Sequence, residues 1–294
     1  MKKILAFAIL FAAVCAFADA ADVSAKAWEL MKKKQYAEAE KLFREINTSD
    51  NFNGITGMMY SLRYQKKNAD VVKEADAWLA ANPKATENQK ASLYQFKGNA
   101  LRDMGKLDEA FAAYMEGLSL NSPGSYSTDC ARECIAAASN AGKFEIADKA
   151  YTEALKQKNA MKNVGFICSA ALHMWKTNKG EEGIKLLDAV LKLKYPPHYQ
   201  EYIYRYRGYI YRDCLKQYSE AVKAFEKAME SPGISDTEKA VLWNNIGTAY
   251  ERDEEYEKAL EAFKKVGTFN VKGWFIKSAG NSAIRMQKKI DAGE

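Results

Sequence analysis

Trp243-Asn244-Asn245-Ile246-Gly247-Thr248-Ala249-Tyr250, followed by Tyr256-Glu257-Lys258-Ala259 and then Phe263, is the stretch from which the rest of the chain can be read. Counted from Gly247, Trp243 lies at −4, Tyr250 at +3, Tyr256 at +9, Ala259 at +12 and Phe263 at +16. Gly98 has Tyr94, Leu101, Leu107, Ala110 and Tyr114 at the same offsets. Ile135 has Ala131, Ala138, Phe144, Ala147 and Tyr151; Ala171 has Ile167, Met174, Gly180, Gly183 and Leu187; Ala27 has Val23, Leu30, Tyr36, Ala39 and Phe43. Gly208 keeps Tyr204 and Tyr211 in place, but Tyr218, Ala221 and Phe225 come one residue late, which predicts a turn one residue longer. A further copy over 53–81 is degenerate: Gly57 and Tyr60 fit it, with a turn of three residues through Lys66-Lys67-Asn68.

In the first half of each copy the apolar positions are spaced as one face of a helix. A glycine on that face costs roughly 1 kcal/mol relative to alanine, so its presence predicts close approach of a second helix, with the alanine at +12 as the matching contact. Thr86-x-x-Gln89 and Ser235-x-x-Glu238 read as capping boxes that open two first helices. Pro83, Pro123, Pro196, Pro197 and Pro232 all fall between copies, where they interrupt no helix.

The pattern resembles the tetratricopeptide repeat, a helix-turn-helix unit, over nearly all of residues 21–269. The resemblance implies an all-α, right-handed α-solenoid of about seven repeats, spanning 21–270. Residues 271–294, with Trp274, Phe275 and Ile276 early and Lys288-Lys289 late, read as a capping helix and tail that solvates the open end of the array.

Composition agrees with a globular chain: 294 residues, 48% hydrophobic and 28% charged. The net charge of +6 is too small by itself to argue for nucleic acid, and none is expected as a partner. Residues 1–20 read as a signal peptide: Lys2-Lys3, an unbroken apolar run from Ile4 to Ala18, and an A-x-A site at Ala18-Asp19-Ala20. The run falls short of the about 20 residues that a bilayer span needs, so no stable membrane insertion is expected after cleavage. Val14 and Ala12 do not match the lipoprotein box before Cys15. Export to the periplasm or cell envelope is the expectation.

No phosphate-binding glycine loop, H-E-x-x-H or G-x-S-x-G occurs. His173 and His198, the two histidines, lack a Cys or carboxylate at ligand spacing, so neither a metal nor any other cofactor is expected, and no catalytic residue is assigned. Glu181-Glu182 and Glu254-Glu255 read as solvated turn charges, and Asn47-Thr48-Ser49 as a common sequon. Cys130, Cys134, Cys168 and Cys214 read as small buried hydrophobes; if a bridge formed, Cys168 would be the partner for one of the first pair.

The resemblance also implies a concave groove lined by the first helices, at −6, −3, +1 and +4 from the small residue. In the Gly98 copy these are Ser92, Gln95, Asn99 and Arg102, and in the Gly247 copy Val241, Asn244, Thr248 and Glu251, which read as an ordinary solvated face. The Ala171 and Gly208 copies instead offer Leu172, Trp175, Tyr202, Arg205, Tyr209 and Arg212, with Tyr206 at the edge. Tyr204 and Tyr211 fall on the core side. Tyr, Trp and Arg dominate binding energies at interfaces, so these seven are the candidate partner-binding residues. Arg205 and Asn245 match part of the clamp with which some relatives hold a terminal carboxylate, but Tyr209 stands in place of its Asn, so that specificity is not carried over.

The expected function is a non-catalytic, exported interaction scaffold that holds a protein or peptide segment in this groove. The alternatives are recognition of a cell-envelope glycan and, last, an enzyme using groove carboxylates. If residues 1–20 are a signal peptide, protein from its native host should begin at Ala21 by intact-mass spectrometry; a retained Met1 or a lipid on Cys15 would contradict it.

Overall fold

The computed structural model describes residues 20–47, 51–193 and 195–293. The signal-peptide reading of 1–20 lies outside the described residues but for Ala20, as do Thr48 and Ser49 of the sequon. The described residues form helices joined by short turns, with no strand among them. First helices are α1 (20–32), α3 (Phe52–Tyr64), α5 (Glu87–Asp103), α7 (Tyr126–Asn140), α9 (Val164–Lys176), α11 (Gln200–Tyr209) and α13 (Asp236–Arg252). Their second helices are α2 (Tyr36–Glu45), α4 (Asn68–Ala81), α6 (Leu107–Ser119), α8 (Phe144–Leu155), α10 (Gly180–Leu191), α12 (Tyr218–Met229) and α14 (Tyr256–Val266). A last helix, α15 (Trp274–Asp291), packs on α13 and α14. The all-α helical-repeat class is therefore the observed one. Contacts divide the chain inside α7 into two compact units, 1–134 and 135–294.

One turn recurs in every repeat. Lys34, Lys66, Gly105, Gly142, Asn178, Lys216 and Glu254 all adopt the left-handed conformation just after a first helix. The next residue then donates its N–H back to the first helix: Gln35 to Leu30 O, Lys106 to Leu101 O, Lys143 to Ala138 O, Lys179 to Met174 O and Glu255 to Tyr250 O, at 2.8–3.0 Å. This Schellman closure satisfies carbonyls that the helix end leaves open. The acceptor is in each case the residue three beyond the small position.

The turn exposes two errors of register in the sequence reading. Lys67 N–H donates to Leu62 O, which places the small position of the second repeat at Met59 rather than Gly57. With that shift Ile55, Leu62, Val71 and Ala75 fall on the pattern, and all are fully buried with Met59 in one core. Sizes are exchanged here: Met stands at the small position and Ala75 at the aromatic one. The periodicity followed the glycine, which packs instead against the Phe43 ring.

In the sixth repeat the extra residue does not lengthen the turn. It is taken up inside the first helix, where Ile210–Leu215 forms a π-helix before Lys216, and Gln217 N–H reaches Tyr211 O across one more residue than elsewhere. Such insertions bulge a helix without ending it.

The glycines meet a ring. A Cβ built on Gly98 would lie 2.4 Å from Tyr114, on Gly208 2.3 Å from Phe225, and on Gly247 2.7 Å from Phe263. The residue filling the space is thus the aromatic at +16 or +17, not the alanine at +12, although Ala110, Ala221 and Ala259 are also fully buried. Both capping boxes are formed, at Thr86/Gln89 and Ser235/Glu238. Gly247→Leu should drive its side chain into the Phe263 ring and destabilise the protein by about 1–3 kcal/mol, measured by urea unfolding; an unchanged midpoint would show that the ring can yield.

Candidate functional site

The seven candidate residues lie on α9 and α11 of the second unit, where local sequence and the π-helix decide which way each points. Ile203, Gly208 and Ile210 are buried on the core side of the sixth first helix, and this leaves Tyr202, Arg205, Tyr206 and Tyr209 on or beside the opposite stripe. The Trp175 and Tyr209 rings stack at 4.6 Å, and Tyr209 meets Phe225 edge-on at 5.6 Å. Arg212 covers the Tyr209 face at 5.4 Å. Tyr206 touches Tyr209 edge-on at 6.3 Å. Arg205 lies over Tyr202 at 5.0 Å and over Tyr206 at 5.8 Å, a doubled cation–π arrangement.

Beneath the rings is a polar hub at Asp213, which the π-helix carries. Its carboxylate accepts from Trp175 Nε1 at 2.9 Å, from Arg212 Nε at 2.8 Å and Nη2 at 2.9 Å, and from Arg252 Nη1 at 2.6 Å. Arg212 also donates to Asn245 Oδ1 at 2.6 Å. Burial alone would raise the Asp213 carboxyl; the bonds and charge of Arg212, with Trp175 and Arg252, outweigh it and hold the group below its ordinary value. A second carboxylate, Glu201, is buried at the start of α11, 3.0 Å from Arg205 Nε. That ion pair lies off the line of a hydrogen bond, so both Glu201 oxygens lack a donor. Burial raises the Glu201 carboxyl, with Arg205 opposing. Burial also pushes the Tyr206 hydroxyl up to about 12, which keeps it a neutral donor.

The structure brings Trp175, Tyr202, Arg205, Tyr206, Tyr209 and Arg212 together and sorts them into two layers. Leu172 and Arg212 are buried, and Tyr209 packs against the core of α12 and α13. With Trp175, half-buried, Tyr209 and Arg212 form a base. Tyr202 is 42% exposed, and Arg205 and Tyr206 are half-buried; these three form the accessible layer. Asn245 is committed to Arg212 and to the Val241 carbonyl, so neither it nor Arg205 is set as in the carboxylate clamp. Tyr204 and Tyr211 pack against the same core, as the pattern requires.

The neighbouring stripes differ from expectation. Ser92, Asn99 and Asn244 are buried, not solvated. Asn99 Oδ1 accepts from Tyr114 Oη at 2.8 Å, so a polar residue on this stripe can serve the packing. A first helix has neighbours on several sides, and the stripe left open to water is narrower than a helical wheel suggests.

Exposed rings of the first unit escaped the sequence reading, Trp28, Tyr60 and Tyr64 among them. Trp28, 36% exposed, and Tyr60, 41% exposed, meet edge-on at 6.0 Å, and Tyr60 packs on Phe96 at 4.9 Å. Each stands at +1 in its repeat once the second copy is centred on Met59; the misplaced register hid Tyr60. With Met31, Lys32, Lys34, Tyr36 and Tyr64 they line a cleft of about 640 Å³.

The absence of a carboxylate near His173 in the sequence is corrected by the fold. His173, fully buried in α9, meets Ser139 Oγ through Nδ1 at 3.0 Å and Asp148 Oδ1 through Nε2 at 2.9 Å, and Lys179 Nζ lies 3.3 Å from the same oxygen. The order is that of a hydrolytic triad, but Ser139 is buried too, so no substrate reaches its hydroxyl. The network ties α7, α8 and α9 together. Cys130, Cys134, Cys168 and Cys214 are free thiols, the first three buried. Burial raises Cys134 and Cys168 to about 12, so they behave as small apolar groups. Among the described residues no three His, Cys, Asp or Glu groups gather where a metal could sit.

Comparison with known proteins agrees with this architecture. The tetratricopeptide-repeat profile matches residues 91–123 and 240–266, which hold the Gly98 and Gly247 copies. The chain superposes on a tetratricopeptide repeat protein from Parabacteroides merdae with a TM-score of 0.58 at 14% identity, covering 90% of this chain and 98% of that one. It superposes on the C-terminal part of a repeat-containing protein from Cytophaga hutchinsonii with a TM-score of 0.55 at 18% identity, covering 88% and 98%. A chain of the APC/C hetero-tetramer Cut9-Hcn1 gives 0.57 at 11% identity, covering 90% of this chain and 55% of that one. No curated protein sequence matches. The profile thus marks two of the repeats, and the superpositions show the solenoid fold of tetratricopeptide-repeat proteins over about nine-tenths of the chain.

Asp213→Asn should cost about 2 kcal/mol at neutral pH, the scale of hydrogen bonds to a charged group. Because the folded carboxyl sits below its unfolded value, this stabilisation is present above the unfolded value and is lost as pH falls through the folded one. The gap between wild type and variant in urea unfolding should therefore close toward acid pH; a gap independent of pH would mean that Asp213 acts through shape alone.

Proposed function

We propose that the chain is an exported, non-catalytic scaffold that holds a segment of a protein partner against the α11 face of its second unit. The observation that carries this reading is the Tyr202–Arg205–Tyr206 layer. A guanidinium lies over two tyrosine rings, its Nε 3.0 Å from a buried carboxylate, on a base made rigid by the Trp175–Tyr209 stack. Rigid aromatic and arginine side chains lose little entropy on binding, which is why they anchor interfaces. The repeat fold supports the class of function, and one similar chain belongs to a hetero-tetrameric assembly. Export rests on the reading of residues 1–20.

Tyr202→Ala and Arg205→Ala each remove a group of the outer layer. In affinity capture from the native cell envelope, the wild type should retain one defined protein, and each variant should lose it by about 2 kcal/mol or more. Tyr202→Ala should unfold within about 0.5 kcal/mol of wild type, as exposed sites do. Tyr209→Ala should instead destabilise the fold by about 3 kcal/mol, as truncation of a packed ring does. Retention of the partner by both outer variants would end this reading; quenching of Trp175 by envelope sugars, with no protein retained, would point to the glycan alternative.

A further inference from the structure

The helix that closes the second unit has an outer face that its capping role does not explain. Phe275, Ala279, Ser282 and Met286 are buried on its inner side, in the core shared with α13 and α14. On the opposite side Trp274, Lys277, Asn281, Ile284 and Lys288 follow one another at helical spacing, and all are exposed. Trp274 is 75% exposed and Ile284 60%. Arg285 flanks the strip and binds Glu251 through Nε at 2.8 Å and Nη2 at 2.9 Å. The first turn of α15 has no acid, and its last turn holds Lys288 and Lys289. Asp291, on the same helix, accepts from Gln287. Asn281, Ile284, Arg285, Lys288 and Lys289 line a shallow cavity of about 340 Å³.

The strip combines an exposed tryptophan and isoleucine with two lysines, side chains suited to contact with a membrane surface. A tryptophan has an apolar body and a polar edge and favours the headgroup level; Lys277 and Lys288, farther along the strip, can keep their amines in water while their stems cover apolar surface. Basic residues on such a face are drawn to anionic lipid. A partner helix fits less well, because helix-in-groove docking reads apolar anchors at i, i+3, i+4 and i+7. Here the two apolar residues are ten apart and separated by Gly280 and Asn281. Among the described residues no helix is long and apolar enough to cross a bilayer, so the contact lies along the surface.

We propose that the outer face of α15 is a peripheral docking surface for an anionic phospholipid bilayer, with Trp274 and Ile284 seated at the interface and Lys277 and Lys288 against the lipid phosphates. The inference is independent of the α11 site. The test is co-sedimentation of the mature chain, residues 21–294, with vesicles of phosphatidylglycerol and phosphatidylcholine in equal parts, against phosphatidylcholine alone, at low and at 0.5 M salt (roughly 10 Å against below 5 Å of Debye screening). Binding is expected to be at least tenfold stronger to the anionic vesicles and to fall in high salt. A blue shift of tryptophan emission on binding should disappear in Trp274→Phe. Lys277→Glu with Lys288→Glu should weaken binding at least tenfold while the circular dichroism spectrum stays that of wild type. Equal binding to both vesicle types, undiminished binding by the lysine double variant, or a blue shift that survives Trp274→Phe would each overturn the proposal. So would full competition by soluble glycerol phosphate, which would make the face a site for a free anion. Should the double variant unfold, Trp274→Phe and the salt dependence still decide.

Discussion

In the Gly98, Gly208 and Gly247 repeats, a ring from the second helix lies against the bare backbone of a first-helix glycine. The distance leaves no room for a methyl group, so helix separation is set by the thickness of an aromatic ring. The interior glycine costs helix stability, and contact between ring and backbone offsets it. The second repeat meets the same constraint in reverse, with Met59 opposite a position reduced to Ala75. What is held constant is the combined volume between two helices, in keeping with interiors that pack at near-crystalline density.

The left-handed turn after each first helix makes that pairing possible in so short a connection. Five of the seven left-handed positions are not glycine, which costs each of them some backbone strain. The N–H that closes the turn onto the carbonyl three beyond the small residue fixes where the second helix begins. In the sixth repeat the closing bond returns to the same carbonyl, three beyond the small residue, but spans one residue more, and the chain takes up that residue as a π-segment before the left-handed Lys216. The bulge presents Asp213 where it can gather Trp175, Arg212 and Arg252, and so supports the rings above it. A departure from the repeat thus underlies the most distinctive surface of the second unit.

The candidate site was legible as a contrast between stripes: aromatic and basic on α9 and α11, polar in the Gly98 and Gly247 copies. Its layering was not, because a helical wheel gives direction without depth. Tyr202 and Tyr209 are seven apart on one stripe, yet the first is open and the second is wedged between Trp175 and Phe225. The Ser139–His173–Asp148 network was invisible for a related reason. Its members lie 34 and 25 residues from the histidine, and no local spacing connects them.

The sequence by itself determined the class of fold, the helix pairs, both capping boxes and the placing of every proline between repeats, since each depends on contacts within a few turns of the chain. It also marked α11 as unusual. Only the tertiary structure decided the register of the second repeat, where a glycine in the wrong place outweighed a methionine in the right one, and the fate of the extra residue in the sixth. It alone decided which tyrosines support the surface and which face water. Those outcomes depend on volumes and hydrogen bonds between helices distant in sequence, which periodicity along one helix does not encode.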